Sequence, residues 1–200
     1  MRNLAGNLQP QPGVFPDYPA PIVRHGPDGR ELVIARWGMP SPAFALEGRK
    51  TDGGITNVRN TASAHWRRWL GPENRCLVPF TAFCEPDHAS GSRENTWFAL
   101  DQSRPLAFFA GIWTRWTSVR KLKEGEVTLD VFAFLTTEAN KEVADIHPKA
   151  MPVILTHPEE LDLWMSGSIH TALKLQKPLA DTYLKIVARG QKSDPDPAIL

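Results

Sequence analysis

The chain has 200 residues, 42% of them hydrophobic and 22% charged. That fits one globular domain at roughly 150 residues per domain and excludes a disordered chain. Twenty-three Lys and Arg against 22 Asp and Glu leave a net charge of +1, so a polyanionic partner cannot be steered by global charge and has to meet a local patch. No apolar run approaches the roughly 20 residues needed to cross a bilayer. The two cysteines, Cys76 and Cys84, are too few for a disulfide framework, and no charged start followed by an apolar stretch marks a signal peptide. Together these imply a reducing cytoplasm. Eighteen prolines and seven tryptophans point to a loop-rich fold with large aromatic surfaces.

In chain order, the proline-rich stretch 8–27 reads as extended chain laid over the surface, not as a packed element. Residues 31–37 (ELVIARW) form a β-type run stopped by Gly38 and Pro40, and a loop follows to Asn57. Residues 60–63 supply capping side chains for a short helix over 64–70, ended by Gly71-Pro72. Residues 75–85 read as one strand. Residues 96–100 and 106–113 look like the arms of a hairpin around 101–105, and 127–135 adds a strand. Thr137 and Asn140 open a short helix to Ala144, His147 sits in the turn after it, and 151–155 returns to the sheet. Thr156 as N-cap with Glu159 at N3 starts a helix that Gly167 closes, and 185–187 adds an edge strand. The tail 191–200 reads as frayed beyond a domain spanning 1–190. Strands scattered among short helices, with no βαβα alternation, imply an α+β domain on a bent, mostly antiparallel, barrel-like sheet.

Three polar residues stand at strand ends or turns. Glu85 closes an apolar strand, so it is either a partly desolvated carboxyl tuned for proton transfer or a solvated strand-end carboxylate. His147 is either a general acid or base or a surface turn histidine. Asn57 offers an amide donor and acceptor, or simply forms a turn. Arg59, Arg67, Arg68 and Arg75 surround Trp66 and Trp69, and Arg115, Arg120, Lys121 and Lys123 follow Trp113 and Trp116. Guanidinium groups beside indoles suit phosphates and bases of a single strand, unless the indoles are core and the cations a solvated face. No CxxC or HExxH pair suggests a metal, no cofactor motif occurs, and no GxSxG elbow supplies a serine nucleophile. Cys84 reads as an inert thiol.

Taken together, Trp37-Gly38-Met39-Pro40, Thr56-Asn57-Val58-Arg59-Asn60, Arg75-Cys76-Leu77-Val78-Pro79 with Phe83-Cys84-Glu85, and Ile146-His147 with Met151-Pro152-Val153-Ile154-Leu155 resemble the SOS response-associated peptidase (SRAP) family over nearly the whole chain. The resemblance implies binding of single-stranded DNA and coupling of an N-terminal cysteine to the aldehyde of an abasic site as a thiazolidine. It implies catalytic roles for Asn57 (holding the attacking residue and opened sugar), Glu85 (shuttling the proton) and His147 (protonating the sugar oxygen). Trp37, Arg59, Arg67, Arg68, Thr136 and Lys149 would bind DNA. In that family the Asn and Glu also serve self-removal of the initiator methionine. The family begins Met-Cys, whereas Arg2 follows Met1 here and the Asn57 block comes early, so a terminal strand with its cysteine is expected to be absent and the chain as written to form no thiazolidine. Pro86 stands where the family often has Trp, and Lys149 replaces an arginine, giving up its bidentate fork. A non-catalytic single-stranded nucleic acid binding module is the alternative.

Overall fold

The structure, a computed structural model, describes residues 1–194. The chain runs through β1 (Arg2–Asn3), β2 (Pro19–Gly26), β3 (Gly29–Trp37), α1 (Ala43–Leu46), β4 (Asn57–Val58), α2 (Ala64–Arg67), β5 (Arg75–Phe80), β6 (Phe83–Pro86), β7 (Asn95–Ala99), β8 (Ala107–Val119), β9 (Glu126–Thr137), α3 (Lys141–Ala144), β10 (Met151–Pro152), β11 (Ile154–Leu155), α4 (Pro158–Ser166), α5 (Ile169–Ala172) and β12 (Lys185–Arg189). β3, β2, β5, β8 and β9 are antiparallel neighbours in that order. The ring closes where Arg36 and Trp37 of β3 pair in parallel with Val131 and Phe132 of β9. The result is the expected α+β domain with a barrel-like sheet.

The two-residue period of the strands sorts their side chains into two cores. Ile22, Val33, Val78, Phe109, Phe132 and Phe134 share the inner core, which also takes Phe83 and Phe98 from a smaller sheet ordered β12-β7-β6. Their sequence neighbours Val23, Leu77, Ala110, Val131, Ala133 and Leu135 turn to the other face. There they meet Trp66 and Trp69 around α2 and Trp164 and Met165 of α4. The helices are short and peripheral, and none among the described residues is long and apolar enough to cross a membrane.

Several expectations are corrected. The proline-rich stretch contributes a full strand, β2, paired with β3 from Pro19 to Gly26. Its pairing with β5 begins only at Val23 and Arg24, so Pro19 and Pro21 lie where one side of the strand is unpaired and a missing N–H costs nothing. The run 75–85 breaks at Thr81-Ala82 into β5 and β6, which belong to different sheets. Likewise β7 pairs with β6 and β12, not with β8, so 96–113 is no hairpin. The loop between them is held by Arg104, whose buried guanidinium grips Asp194 at 2.8 and 2.9 Å. β8 instead forms the long hairpin with β9.

The helix after Ser63 ends at Arg67, and the α4 cap is one residue late. His157 is the N-cap, and the Glu160 carboxylate accepts the N–H groups of Thr156 and His157 at 3.0 and 3.2 Å. Residues 190–194 are tied down. The Gln191 carbonyl accepts the Trp97 indole N–H at 2.9 Å, and the Asp194 N–H donates to Pro12 at 2.8 Å. The rest of the expected frayed tail, 195–200, lies outside the described residues.

Arg75 fastens α4 to the barrel. Its buried guanidinium donates to the carbonyls of Leu70, Trp164 and Gly167 at 2.9, 2.9 and 2.7 Å. Arg75→Met leaves three carbonyls without donors and is expected to lower unfolding free energy by roughly 2–4 kcal/mol in urea titrations. An unchanged midpoint would show that these bonds carry no stability.

Candidate functional site

The inner aromatic column sets the first half of the site. The Phe83 ring lies 5.4 Å from Phe98 and 5.9 Å from Phe109, and Glu85, two residues along β6, points the same way. Its side chain retains 20% of its exposure, and among the described residues no Lys or Arg pairs with it. Burial therefore pushes its carboxyl up to about 7. His147 is delivered by the exit from α3. The Asn140 side chain caps that helix by accepting the Val143 N–H at 3.2 Å, and the His147 N–H donates to the Val143 carbonyl at 2.6 Å. The Ile146 carbonyl then accepts the N–H groups of His88 and Ala89 at 2.9 and 3.1 Å, joining this turn to the chain just past β6.

These bonds place His147 Nδ1 3.8 Å from Glu85 Oε2. The gap is too long for a hydrogen bond, and Nδ1 is buried without a hydrogen-bond partner. Burial holds the imidazole below its ordinary value. The neighbouring His88 and Lys149 add to that effect, while the Pro86 carbonyl opposes it without the alignment of a hydrogen bond. Near neutrality the pair thus contains a carboxyl half-way through its titration beside a neutral imidazole, a matched acid and base.

The second half is built on β4. Asn57 pairs with Phe134 and Val58 with Leu135. Val58 is buried in the outer core, so Asn57 is exposed on the inner face with Phe134 and Thr136. The Trp37 indole N–H donates to the Thr56 carbonyl at 3.0 Å, and its ring stacks on Phe134 at 5.2 Å. Phe134 lies 4.8 Å from Phe109, so a column of rings connects the Asn57 side with the Glu85 side. No hydrogen bond joins Asn57 to Glu85 or His147 among the described residues; the structure pairs the last two and leaves Asn57 apart from them.

Arg59 and Lys149 are exposed and Thr136 is buried, and Lys149, two residues past His147, helps to hold its imidazole below its ordinary value. The Arg59 guanidinium donates to the Lys149 carbonyl at 3.4 Å. The Gln176 amide donates to the carbonyls of both Arg59 and Thr136, at 2.8 and 3.0 Å.

Other members of the basic and aromatic clusters are elsewhere. Arg67 donates to Ala62 at 3.1 Å, and Arg68 stacks over Trp69 at 3.9 Å and Trp116 at 5.6 Å. Arg67 ends α2 and Arg68 is its C-cap, and both are exposed. Trp66 and Trp69 are core residues at 6% and 5% exposure, which removes them as base-stacking platforms. Arg75 and Arg120 are buried. Burial also pushes the Cys84 thiol up to about 11 and raises Cys76 as well, so both thiols are inert. Two residues of the site went unread in the sequence. His88, whose ring lies 5.0 Å from His147, had a signal in its position three residues after Glu85. Gln176 had none, because its role depends on a chain crossing remote in sequence.

The closed-barrel fold is shared with known proteins. Residues 2–189 match the SOS response associated peptidase (SRAP) family. The chain belongs to that family. It is similar to a crystal structure of a protein from Bordetella bronchiseptica at 26% identity and TM-score 0.67, covering 86% of this chain and 84% of that one. A crystal structure of a protein from Bacteroides thetaiotaomicron is similar at 25% identity and TM-score 0.65, covering 84% and 72%. No curated protein matches the chain in sequence.

The Glu85 carboxyl ionises near 4.5 when unfolded and about 7 when folded, so its ionisation costs the fold nothing below 4.5, destabilises it progressively between 4.5 and 7, and costs no more above that. Glu85→Gln is therefore expected to match the native protein at pH 4 and exceed it at pH 8 by up to about 3 kcal/mol in unfolding free energy. A constant difference between the two proteins across that range would contradict the desolvated carboxyl.

Proposed function

We propose that this protein binds single-stranded DNA and acts at abasic sites, with Glu85 and His147 moving protons at the opened sugar. The observation that carries this reading is the desolvated Glu85 carboxyl, which titrates at about 7 and lies 3.8 Å from an imidazole nitrogen with no partner of its own. Catalytic hydrogen bonds are often long before substrate binds and tighten in the complex.

An abasic sugar exchanges between a closed ring and an aldehyde. In ring opening Glu85 passes its carboxyl proton to His147, which gives it to the ring oxygen as the C–O bond breaks, and the Glu85 carboxylate takes the proton of the anomeric hydroxyl, exposing the aldehyde carbon. A primary amine attacks that carbon, and protonated Glu85 supplies the proton with which the hydroxyl leaves as water, giving a Schiff base. The carboxylate then takes the proton of the attacking thiol as sulfur closes the ring on the same carbon. Asn57 holds the opened sugar through its amide, and Arg59 with Lys149 meets a flanking phosphate. Ring closure requires an α-amine and a thiol on one residue, which neither Cys76 nor Cys84, both interior to the chain, provides. The same acid–base pair suits intramolecular hydrolysis of an amide after an initiator methionine, in keeping with the family's peptidase designation. Burial of Trp66 and Trp69 counts against the alternative of a binding module that works by base stacking.

The test uses single-stranded oligonucleotides with and without one abasic site. The chain numbered here should bind them, with affinity falling as salt is added. Arg59→Glu should weaken binding about tenfold or more, and Glu85→Gln should leave binding intact. Extending the chain upstream to a Met-Cys start should yield an abasic-DNA adduct that survives denaturation, formed roughly 10²-fold or more slowly in the Glu85→Gln background. A folded Met-Cys protein that forms no adduct would overturn the proposal, and an adduct rate unaffected by Glu85→Gln would remove the carboxyl from it.

A further inference from the structure

Arg120 is the member of the second basic cluster that turns inward. Its side chain, at the end of β8, is 1% exposed. Nη1 donates to the Gly38 carbonyl at 3.0 Å, Nη2 to the Gly53 carbonyl at 3.2 Å, and Nε to Asp17 Oδ1 at 3.1 Å. The surrounding backbone is shaped to this guanidinium. Gly38 has φ +138° and Gly54 has φ +77°. A Cβ on Gly38 would lie 2.4 Å from Nη2, and one on Gly54 2.5 Å from Nη1. Glycine satisfies both requirements at once, the left-handed backbone and the space.

Both turns lead directly to the site. Gly38 follows Trp37, and its N–H donates to the Phe132 carbonyl at 2.7 Å. Met39 and Ile55 exchange backbone hydrogen bonds at 2.9 and 2.8 Å, and Thr56, whose carbonyl takes the Trp37 indole N–H, is followed by Asn57. Asp52 secures the same loop from its other end by accepting the Ser41 hydroxyl at 2.7 Å and the Gly54 N–H at 2.8 Å. On the far side of the guanidinium, Asp17 also takes Arg36 and Lys121, each at 2.8 Å. The chain ahead of β2 is thereby tied to the same point.

We propose that Arg120 is a positioning residue for the Asn57 side of the site. It fixes the Gly38 and Gly53-Gly54 turns against each other so that Trp37 and Asn57 are presented together, and it does not contact nucleic acid. The role given to Asn57 and Trp37 rests on the abasic-site reading above; the clamp itself does not. An amide that must hold a sugar in one orientation loses its effect when its loop shifts by about an ångström, a displacement that typically costs on the order of 10²-fold in rate.

The experiment compares the native protein with Arg120→Met, Gly54→Ala and, as a control on the exposed end of the cluster, Lys123→Ala. The readouts are thermal unfolding, hydrogen exchange of the Trp37 indole N–H by NMR, and the ratio of affinities for abasic and intact single-stranded oligonucleotides. In Arg120→Met and Gly54→Ala, the indole proton should exchange about tenfold faster or more, and the preference for the abasic strand should fall about tenfold. Lys123→Ala should match the native protein on all readouts. An abasic preference that persists once the indole is released overturns the positioning role, and slow indole exchange in a folded Arg120→Met protein overturns the clamp. If Arg120→Met does not fold, Gly54→Ala decides on the same readouts. If the native protein shows no abasic preference, the functional reading falls and indole exchange alone judges the clamp.

Discussion

Closure of the barrel through the short parallel pairing of β3 with β9 is the constraint from which the site follows. Once the ring is closed, alternate residues of five strands have only the interior to fill, and phenylalanine fills it in a continuous stack from Phe134 through Phe109 to Phe80 and Phe83. A carboxyl placed on the same face, two residues beyond Phe83, inherits that low-dielectric surround, and among the described residues no Lys or Arg pairs with it to offset that. The unusual titration of Glu85 is thus a consequence of strand parity and closure. The α3 turn then needs only to bring an imidazole alongside.

The structure turns inward two of the eight clustered cations that make the sequence look like a nucleic acid binder. Arg75 and Arg120 are consumed by backbone carbonyls, and Arg104 by Asp194. Each works as a buried staple between segments remote in sequence, a use for which the forked guanidinium is better suited than an ammonium. Arg59 and Lys149 stay exposed, joined through a single guanidinium-to-carbonyl bond. Charge in this protein is divided between arginines that hold the frame and a smaller set at the site.

Much of this was readable before the coordinates. Short capping patterns predicted α3 and α4 because they depend on residues within one turn, and the strand periods of β3, β8 and β9 were strong. The pairing partners were not readable. The run from Arg75 to Glu85 has one continuous β-type pattern, and nothing in it marks the break at Thr81-Ala82 that divides it between two sheets, with Phe80 and Phe83 packed edge to face at 5.9 Å across it. β2 was obscured by prolines that are tolerated only because one side of that strand lacks a neighbour. At the site, Asn57, Glu85 and His147 were identified from motif order, and the structure brings the last two into proximity. The core role of Trp66 and Trp69 could not be told from a stacking role, since the same indole spacing serves both.

The central claim is that folding desolvates Glu85 until it can exchange a proton at neutral pH. It is tested most directly by following the Glu85 carboxyl carbon by NMR through a pH titration of the native protein, assigned with Glu85→Gln. The account predicts a midpoint of about 7, and a midpoint near 4.5 would contradict it.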